Sequence, residues 1–248
     1  MTRESVHVKN ELLAALPRAA YLRLLPRLES VELPLGAGLY NSGESIQHVY
    51  FPEDALVSLV THMGDGSRVE VALIGRDGMV GIPVLLGDDI AFEAAVVQIA
   101  GTALRMPSAV FKEVIKASRS PLLTRLLLYT RVLMKQVAQT AACNGRHTAE
   151  KRLARWLLMC HDRAESDELA LTQEFISDML GVRRAGVSSA SIVLQQEGFI
   201  SYARGRVTIL NRKRLEAFAC ECYAAVRDGV GGGRAGAEGV WCIQPGGR

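Results

Sequence analysis

Several features that are common in proteins are missing from this chain of 248 residues, and each absence excludes a class of protein. No apolar run reaches the roughly 18–20 residues that a membrane-spanning helix needs, so we predict no membrane partner. The start, MTRESVHVKNELLAAL, lacks the basic stretch followed by an apolar stretch that marks a secretory signal. Cysteine is absent before Cys143, and the five cysteines show no C-x-x-C spacing. An odd number of cysteines without a signal predicts reduced thiols and a cytoplasmic location.

Metal-ligating residues are also sparse, which argues against a cofactor or an enzyme. A jelly-roll metalloenzyme needs clustered His and carboxylate ligands, but the β-rich half holds only His48 and His62, without H-x-H spacing. An isolated histidine is more often a surface or core residue than a haem ligand. Cys220 and Cys222 are interpreted as lying on one helix, where they point to different sides and make a poor metal pair. We therefore predict no catalytic residues, no metal and no certain cofactor.

The net charge of +3 is small, but the positive charge is concentrated in the second half of the chain. Between Arg119 and Arg214 there are 16 Lys or Arg and 8 Asp or Glu. Such an excess suits a polyanionic partner, although it also describes an ordinary solvated face. Charge alone therefore leaves nucleic-acid binding open.

The first half of the chain changes from helical to β-type patterning near residue 30. The leucine spacing of residues 1–28 predicts short helices, whereas residues 31–107 contain short apolar runs separated by turn signals such as PLGAG and GRDG. Asp65-Gly66 lies between two β-rich runs and predicts a hairpin. Several strands at this spacing are typical of an antiparallel barrel or jelly roll. We therefore predict an N-terminal β domain over residues 1–117.

A long amphipathic helix is predicted over residues 118–144, with Ser120 as cap and Pro121 at the first helical position. At roughly 36 Å this helix is longer than a small barrel can cover, so part of its apolar stripe needs another partner. A second copy of the helix is the simplest candidate, and a core helix packed only on the barrel is the alternative. Gly145 is expected to act as a hinge or cap. The predicted dimer stripe consists of Leu123, Leu126, Leu127, Thr130, Leu133, Met134, Val137 and Ala141.

Residues 145–227 carry the pattern of a winged helix-turn-helix. Thr172 is a suitable N-cap for one short helix, Gly181 ends that helix, and a second helix with an apolar inner face follows. The period then changes to two, and FISYA and RVTIL flank a hairpin tip that carries Arg204 and Arg206. In this motif the second helix enters the major groove and tip arginines suit phosphates, so we predict double-stranded DNA as a partner. The Gly-rich residues 228–248 are predicted to be a disordered tail.

At this point the chain resembles the Crp/Fnr family of transcriptional regulators over about residues 10–227, most specifically in LTQEFISDMLGVRRAGVSSASIVLQQEGFI. The resemblance implies an α+β fold with a cyclic-nucleotide-binding-like barrel, a dimerisation helix and a winged helix-turn-helix, and a homodimer that contacts RNA polymerase. It also implies that a known set of positions contacts phosphates and that another set reads bases. The phosphate positions are Thr172, Gln173, Arg183 and Gly186, and the base-reading face has Arg184, Ala185 and Ser189, with Ser188 beside them. The archetypal activator has Arg, Glu and Arg at the three base-reading positions, so we expect a different DNA half-site.

The stretch IGRDGMVGIPVLLGDD raises the question of a nucleotide pocket, because Gly75, Gly78 and Gly81 recur every three residues. This spacing matches neither a Rossmann nor a Walker pattern, and turns between strands explain it adequately. Relatives that bind cyclic nucleotides have a Glu after the glycines and an Arg later, whereas this chain has Ile82 and, near the second position, Phe92. A phosphate would lose its charge-assisted bonds there, so cyclic AMP or GMP is not expected. These five residues define the candidate effector pocket, for an unidentified small molecule or for none.

Three functions compete. The leading one is a homodimeric, sequence-specific DNA-binding transcription regulator, gated by an effector in the barrel that shifts the dimer helix. The second is an effector-independent interaction module whose winged helix binds protein. The third is the metalloenzyme, which the sparse histidines disfavour.

Overall fold

The fold comes from a computed structural model that describes residues 8–116, 120–164 and 166–230. Among these residues, no helix combines the length and the apolar character that a membrane crossing requires. The predicted Gly-rich tail lies outside the described residues apart from its first three, which belong to the last helix. The helices and strands are α1 (Glu11–Ala14), α2 (Arg18–Leu24), a 3₁₀ turn (Leu25–Arg27), β1 (Glu29–Leu33), β2 (Gly38–Tyr40), β3 (His48–Pro52), β4 (Leu56–His62), β5 (Arg68–Ile74), α3 (Ile82–Leu86), β6 (Ala94–Ile99), β7 (Gly101–Pro107), α4 (Ser108–Lys116), α5 (Pro121–Arg146), α6 (Ala149–His161), β8 (Glu168–Ala170), α7 (Gln173–Leu180), α8 (Arg184–Gln196), β9 (Ile200–Ala203), β10 (Arg206–Ile209), α9 (Arg212–Phe218) and α10 (Cys222–Val230).

Two antiparallel sheets form the N-terminal half, with strand orders β1-β7-β3 and β2-β6-β4-β5. They share one apolar core, in which Phe51 of the first sheet and Val57 of the second are fully buried. The predicted α+β fold with an N-terminal antiparallel barrel or jelly roll is confirmed, and the sheets are jelly-roll-like rather than closed into a barrel. The predicted short helices, now α1 and α2, complete this core through Leu13 and Leu24.

The hairpin predicted at Asp65-Gly66 joins β4 to β5, and its turn is held by its own polar groups. Asp65 Oδ1 accepts the Ser67 backbone N–H at 2.9 Å, and Gly66 adopts a φ of +83°. A positive φ is accessible to glycine without steric cost, so Gly66 suits this turn.

Helix α5 begins at Pro121, where Ser120 Oγ accepts the Leu123 backbone N–H at 3.4 Å. The expectation that Gly145 caps the helix is wrong, because residues 144–146 remain helical and His147 is the C-cap. The backbone of His147 is extended, with φ −107° and ψ 150°, so the chain bends there before α6 starts. Gly145 has open space around it and serves as an ordinary residue of the last turn.

The C-terminal half is the predicted winged helix-turn-helix. Thr172 Oγ1 accepts the Phe175 N–H at 3.2 Å to cap α7, and Gly181 ends α7 with a φ of +58°. The inner face of α8 is buried through Val187 and Leu194, as the periodicity predicts. The wing has one strand more than expected, because β8 pairs with β10 to give the order β8-β10-β9. Three residues are too few to show a strand period in the sequence.

The two halves are packed directly on each other. Leu56 and Leu73, from β4 and β5, belong to the core of the C-terminal half together with Trp156 of α6. Arg68 of β5 forms an ion pair with Asp178 of α7. The helix-turn-helix therefore sits against the outer face of the four-stranded sheet.

A chain of buried polar groups crosses this contact. Trp156 Nε1 donates to Glu70 Oε1 at 2.9 Å, and Ser58 Oγ lies 2.7 Å from both Glu70 Oε2 and Gln98 Oε1. The Ser58 hydroxyl has one proton and cannot donate to both neighbours. A neutral Glu70 resolves this, because its O–H donates to Ser58, which then donates to Gln98. Burial raises the pKa of Glu70 to about 7, in agreement with a neutral carboxyl.

This arrangement predicts that stability falls as pH rises from mildly acidic to neutral values. The folded-state pKa of Glu70 is raised from its ordinary value of 4.5 to about 7, so the stabilising neutral form is present at low pH and is lost as pH rises through about 7. The nearby Arg155 and Arg163 charges act in the opposite direction but are outweighed. We expect the free energy of unfolding to drop by about 1–3 kcal/mol between roughly pH 5 and 8.

Glu70→Gln tests this expectation by urea unfolding at several pH values. Its amide accepts from Trp156 and donates to Ser58 without titrating, so the variant should lose part of the pH dependence. A further part belongs to Glu93, whose pKa burial also raises to about 7, and should be lost in the double variant with Glu93→Gln. Equal pH profiles for wild type and both variants would exclude this explanation.

Candidate nucleic-acid interface

The start of α8 forms an exposed polar face on the C-terminal half. Arg183, Arg184, Ala185 and Ser189 are exposed, while Val187 behind them is fully buried. Arg183 is the N-cap residue and, within the described chain, makes no side-chain bond to the first turn. A helix N-terminus without a side-chain cap has free N–H groups and a positive dipole end, which together suit an anion.

A groove of about 390 Å³ runs between this face and the wing. The start of α7, the start of α8 and the β9–β10 turn contribute its walls, so three separate sequence segments meet there. The lining residues are Thr172, Gln173, Arg184, Tyr202, Ala203, Arg204 and Gly205. Four of them are predicted DNA contacts, and the structure brings these four together.

The arginines around the groove differ in their partners. Arg206 forms an ion pair with Glu168, from Nη1 to Oε1 at 2.5 Å. Among residues 8–116, 120–164 and 166–230, no carboxylate lies within ion-pair distance of Arg183, Arg184 or Arg204. Three exposed cations without a counter-charge on the described surface are what a phosphate backbone would attract.

Local hydrogen bonds fix the walls of the groove. Ser188 Oγ donates to Gln173 Oε1 at 3.0 Å, which ties α8 to the start of α7. The wing tip has positive φ at both central residues, 50° for Arg204 and 73° for Gly205. This is the backbone of a type I′ hairpin turn, and it brings Gly205 against the side chain of Thr172. The wing tip and the start of α7 are therefore held as one surface.

Other predicted positions are less exposed, and three lining residues, Tyr202, Ala203 and Gly205, were missed. Gly186 and Ser188 are half-buried, since both face α7 and the turn as well as solvent. Tyr202 lines the groove, where burial raises its pKa and the nearby Arg184 guanidinium acts against this rise. Tyr202 and Ala203 lie on β9 just before the tip, so a rule that includes the residues flanking a wing turn would have found them.

Three of the five candidate effector residues, Gly75, Gly78 and Gly81, lie in the loop of residues 75–81, named here the glycine loop. A Cβ added to Gly75 would lie 3.0 Å from Arg163 Cβ, and one added to Gly78 would lie 2.6 Å from Tyr129 Cζ. Gly81 has a φ of +101°, and its Cβ position lies 3.1 Å from Val49. Side chains of the chain itself therefore occupy the space that each glycine leaves.

The glycine loop also makes a buried ion pair with the C-terminal half. Arg163 Nη2 and Nε donate to the two carboxylate oxygens of Asp77 at 2.7 and 3.1 Å. The side chains of Arg163 and Asp77 are only 6% and 9% exposed. Burial lowers the pKa of Arg163, but the Asp77 carboxylate outweighs it and raises the pKa overall. Removing one partner of such a pair costs about 3–5 kcal/mol, because the other charge stays buried.

The remaining two effector-pocket residues, Ile82 and Phe92, differ in how exposed they are. Ile82 is the first residue of α3 and is buried, whereas Phe92 is 70% exposed. The acidic group nearest in sequence, Glu93, is buried, and its charge helps to raise the pKa of the buried Tyr40. An anionic ligand beside Glu93 would add charge repulsion to this environment.

Comparison with known families decides the identity of this architecture. Residues 30–118 match the model of the cyclic nucleotide-binding domain, and residues 151–218 match that of the Crp-like helix-turn-helix domain. Together the two models cover more than half of the chain. The chain belongs to the Crp/Fnr family of transcriptional regulators. The resemblance stated from the sequence is thereby confirmed.

Solved Crp/Fnr structures share the fold at low sequence identity. FixK2 from Bradyrhizobium japonicum is 20% identical, and the match covers 78% of this chain and 98% of that one with a TM-score of 0.66. A transcriptional regulator of the CRP family from Thermus thermophilus is 23% identical, with coverages of 76% and 96% and a TM-score of 0.63. CLP from Xanthomonas campestris, a c-di-GMP-responsive global regulator, is 14% identical, with coverages of 79% and 100% and a TM-score of 0.63. No curated protein matches the chain.

Helix α5 of this Crp/Fnr chain presents two apolar faces, which the predicted dimer stripe combined into one. Leu126 and Leu133 are buried in the core of the chain's own β domain, and Thr130 is buried as well. A second set projects outward, with Leu127 54% and Met134 68% exposed. Leu123, four residues before Leu127 and on the same side of the helix, is half-buried. The outward set consists of Leu127, Met134, Val137 and Ala141.

The packing of the glycine loop predicts a specific sensitivity to Gly78→Ala. The added methyl group would overlap the ring of Tyr129, so we expect a loss of about 1–3 kcal/mol in the free energy of unfolding. Gly64→Ala is the matched control, because it has open space and no positive φ. Urea unfolding should leave the control within about 0.5 kcal/mol of wild type. Equal effects of the two substitutions would show that the loop is not packed against α5 in this way.

Proposed function

We propose that this Crp/Fnr protein is a homodimeric, sequence-specific DNA-binding transcription regulator. In this proposal α8 enters the major groove, and the wing tip contacts the adjacent phosphate backbone. The observation that carries it is the exposed start of α8, where Arg183 and Arg184 stand without a described counter-charge beside Arg204 of the wing. An anion-attracting surface at the position where winged helices approach DNA favours nucleic acid over a protein partner.

Each residue of the interface has a proposed role. Arg184 makes a bidentate contact to a guanine, Ala185 touches a thymine methyl group, and Ser189 supplies a weaker contact to a base edge. The phosphate contacts position the protein without reading sequence. They come from Thr172, Gln173, Arg183, Gly186, Arg204 and Arg206, with Ser188 holding Gln173 in place.

The homodimer is proposed from the outward face of α5. Leu127, Met134, Val137 and Ala141 recur at intervals of seven, three and four residues, which places them on one side of the helix. Exposed apolar side chains of this size on one stripe favour a partner helix. A two-fold pair would present two copies of α8 about 34 Å apart, one turn of DNA.

Signal input is proposed to enter through the β domain. A ligand that moves the glycine loop would act on Tyr129 of α5 and on Arg163 at the same time. The proposed pocket, with Ile82 and Phe92, does not favour cyclic AMP or GMP, and the ligand class stays open. Contact with RNA polymerase is inferred from the family alone.

Arg184→Ala tests the base-reading role by fluorescence anisotropy on DNA fragments enriched by the wild-type protein. Loss of one bidentate contact should cost about 1–3 kcal/mol on the preferred site and relax the preference at one base pair. Arg204→Ala should instead weaken binding to all sequences equally. It should also reduce the slope of log affinity against log salt concentration by about one. Lys213→Ala, an exposed charge on α9, is the control and should change neither.

Two outcomes would contradict this proposal. Binding that is absent at low salt, or that does not weaken as salt rises, would favour the protein-binding module. An unchanged sequence preference in Arg184→Ala would remove that residue from base recognition.

Met134→Glu tests the dimer. A charge in the middle of the outward face should shift the chain from dimer to monomer in sedimentation or native mass spectrometry. Lys135→Glu adds the same side chain one position further round the helix, where it is exposed and should leave the mass unchanged. A wild-type monomer at micromolar concentration, or equal behaviour of the two variants, would contradict the α5 dimer.

A further inference from the structure

Four potential metal ligands meet where the end of α5 lies beside the junction of α9 and α10. Cys143 and His147 come from the end of α5, and Cys220 and Cys222 come from the junction. Their ligand atoms, three Sγ and one ring nitrogen, all lie within 4.8 Å of one another. The three cysteines are buried and form a cluster of their own. No part of the proposed DNA interface uses them.

The sequence interpretation of Cys220 and Cys222 as a poor pair on one helix is wrong. Helix α9 ends at Phe218, and the next helix begins only at Cys222. Cys220 therefore lies in the segment between the two helices, and Cys222 is the first residue of α10. Ala219, the C-cap of α9, has an extended ψ of 164°, which redirects the backbone before Cys220. Both side chains then reach the same side as Cys143.

Two of the six distances between ligand atoms match the edges of a tetrahedral metal site, and all six are within 4.8 Å. Cys143 Sγ lies 3.6 Å from Cys220 Sγ, and Cys222 Sγ lies 3.6 Å from His147 Nδ1. With zinc bonds of about 2.3 Å to sulfur and about 2.0 Å to nitrogen, a tetrahedron has S···S edges of about 3.8 Å and S···N edges of about 3.5 Å. Three thiolates and one imidazole are a usual ligand set for structural zinc.

Neighbouring groups orient the ligands as in known metal sites. Glu221 Oε1 lies 3.3 Å from His147 Nε2, a contact that orients the ring with Nδ1 towards Cys222 Sγ. Gln139 Nε2 donates to Cys222 Sγ at 3.0 Å, a contact that stabilises a thiolate. A carboxylate on the outer histidine nitrogen and an N–H donor on a thiolate are typical of metal sites.

Two buried arginines beside the cluster suit an anionic site. Arg155 is only 2% exposed, and among the described residues no carboxylate lies within ion-pair distance of it. Its Nη1 reaches only Thr140 and Met159, and the Nε atoms of both Arg155 and Arg152 have no described hydrogen-bond partner. Zn²⁺ with three thiolates and a neutral histidine has a net charge of about −1, which offsets a buried cation.

We propose that Cys143, His147, Cys220 and Cys222 bind one zinc ion. The ion would fasten the end of α5 to the start of α10, which already packs against it. Its role is structural, because four protein ligands leave no open coordination position for a substrate. By fixing where α5 ends, the ion would also set the bend at His147 that leads into α6.

The test measures metal in the full-length chain, purified under reducing conditions without chelator. We expect about one zinc per chain by elemental analysis and by native mass spectrometry. Cobalt added to the stripped protein should give the visible absorption bands of tetrahedral cobalt thiolate. Cys143→Ser, Cys222→Ser and His147→Gln should each lower the zinc content at least about tenfold under chelator challenge. Cys160→Ala, a buried thiol outside the cluster, should keep the metal.

Replacing one ligating residue by another distinguishes loss of the metal site from loss of the fold. His147→Cys preserves a four-ligand set and should retain zinc, whereas His147→Gln should not. Fully reduced wild-type protein that holds no zinc and gives no cobalt bands would overturn the proposal. So would a freshly isolated chain in which Cys143 and Cys220 are joined as a disulfide, with zinc absent. None of these readouts uses DNA, so the zinc proposal and the proposed function fail or stand separately.

Discussion

The arrangement of the two halves depends on the packing of the glycine loop. Tyr129 of α5 fills the space over Gly78, and Arg163 lies over Gly75 while pairing with the buried Asp77. A larger residue at either glycine would push the α5 or α6 region away from the sheets. In a family whose β domain is named for cyclic nucleotides, this loop therefore packs the β domain against α5 and against Arg163 of the C-terminal half.

The contact with the glycine loop fixes the orientation of helix α5. One of its faces is fixed to the β domain through Leu126, Tyr129 and Leu133, so the opposite face is presented in a defined direction. The far end of the helix is tied to α10 by the cysteine cluster, and α6 begins after the bend at His147. The proposed dimer contact and the contact with the glycine loop both lie on α5, and the placement of α8 depends on where α5 ends. Movement of the glycine loop would therefore shift the whole of α5.

Local patterns were sufficient to predict most of the fold. Thr172 and Gly181 mark the ends of α7, and the Asp65-Gly66 turn marks a hairpin, because caps and turns are decided by neighbouring residues. Sequence could not separate the two faces of α5, since Leu126 and Leu127 are equally apolar and only tertiary packing decides which is buried. The Cys143–Cys220 contact joins residues 77 apart, and the break before Cys222 has no Gly or Pro to announce it. Such long-range contacts leave no local periodicity to read.

The central claim is that this chain recognises a DNA sequence as a two-fold dimer. The most direct test is selection of double-stranded DNA from a random pool by the full-length protein, followed by sequencing. The account predicts enrichment of an inverted repeat whose half-site centres are about one helical turn, ~34 Å, apart. A pool that shows no enriched sequence after repeated rounds, or one enriched only for a single unrepeated half-site, would contradict it.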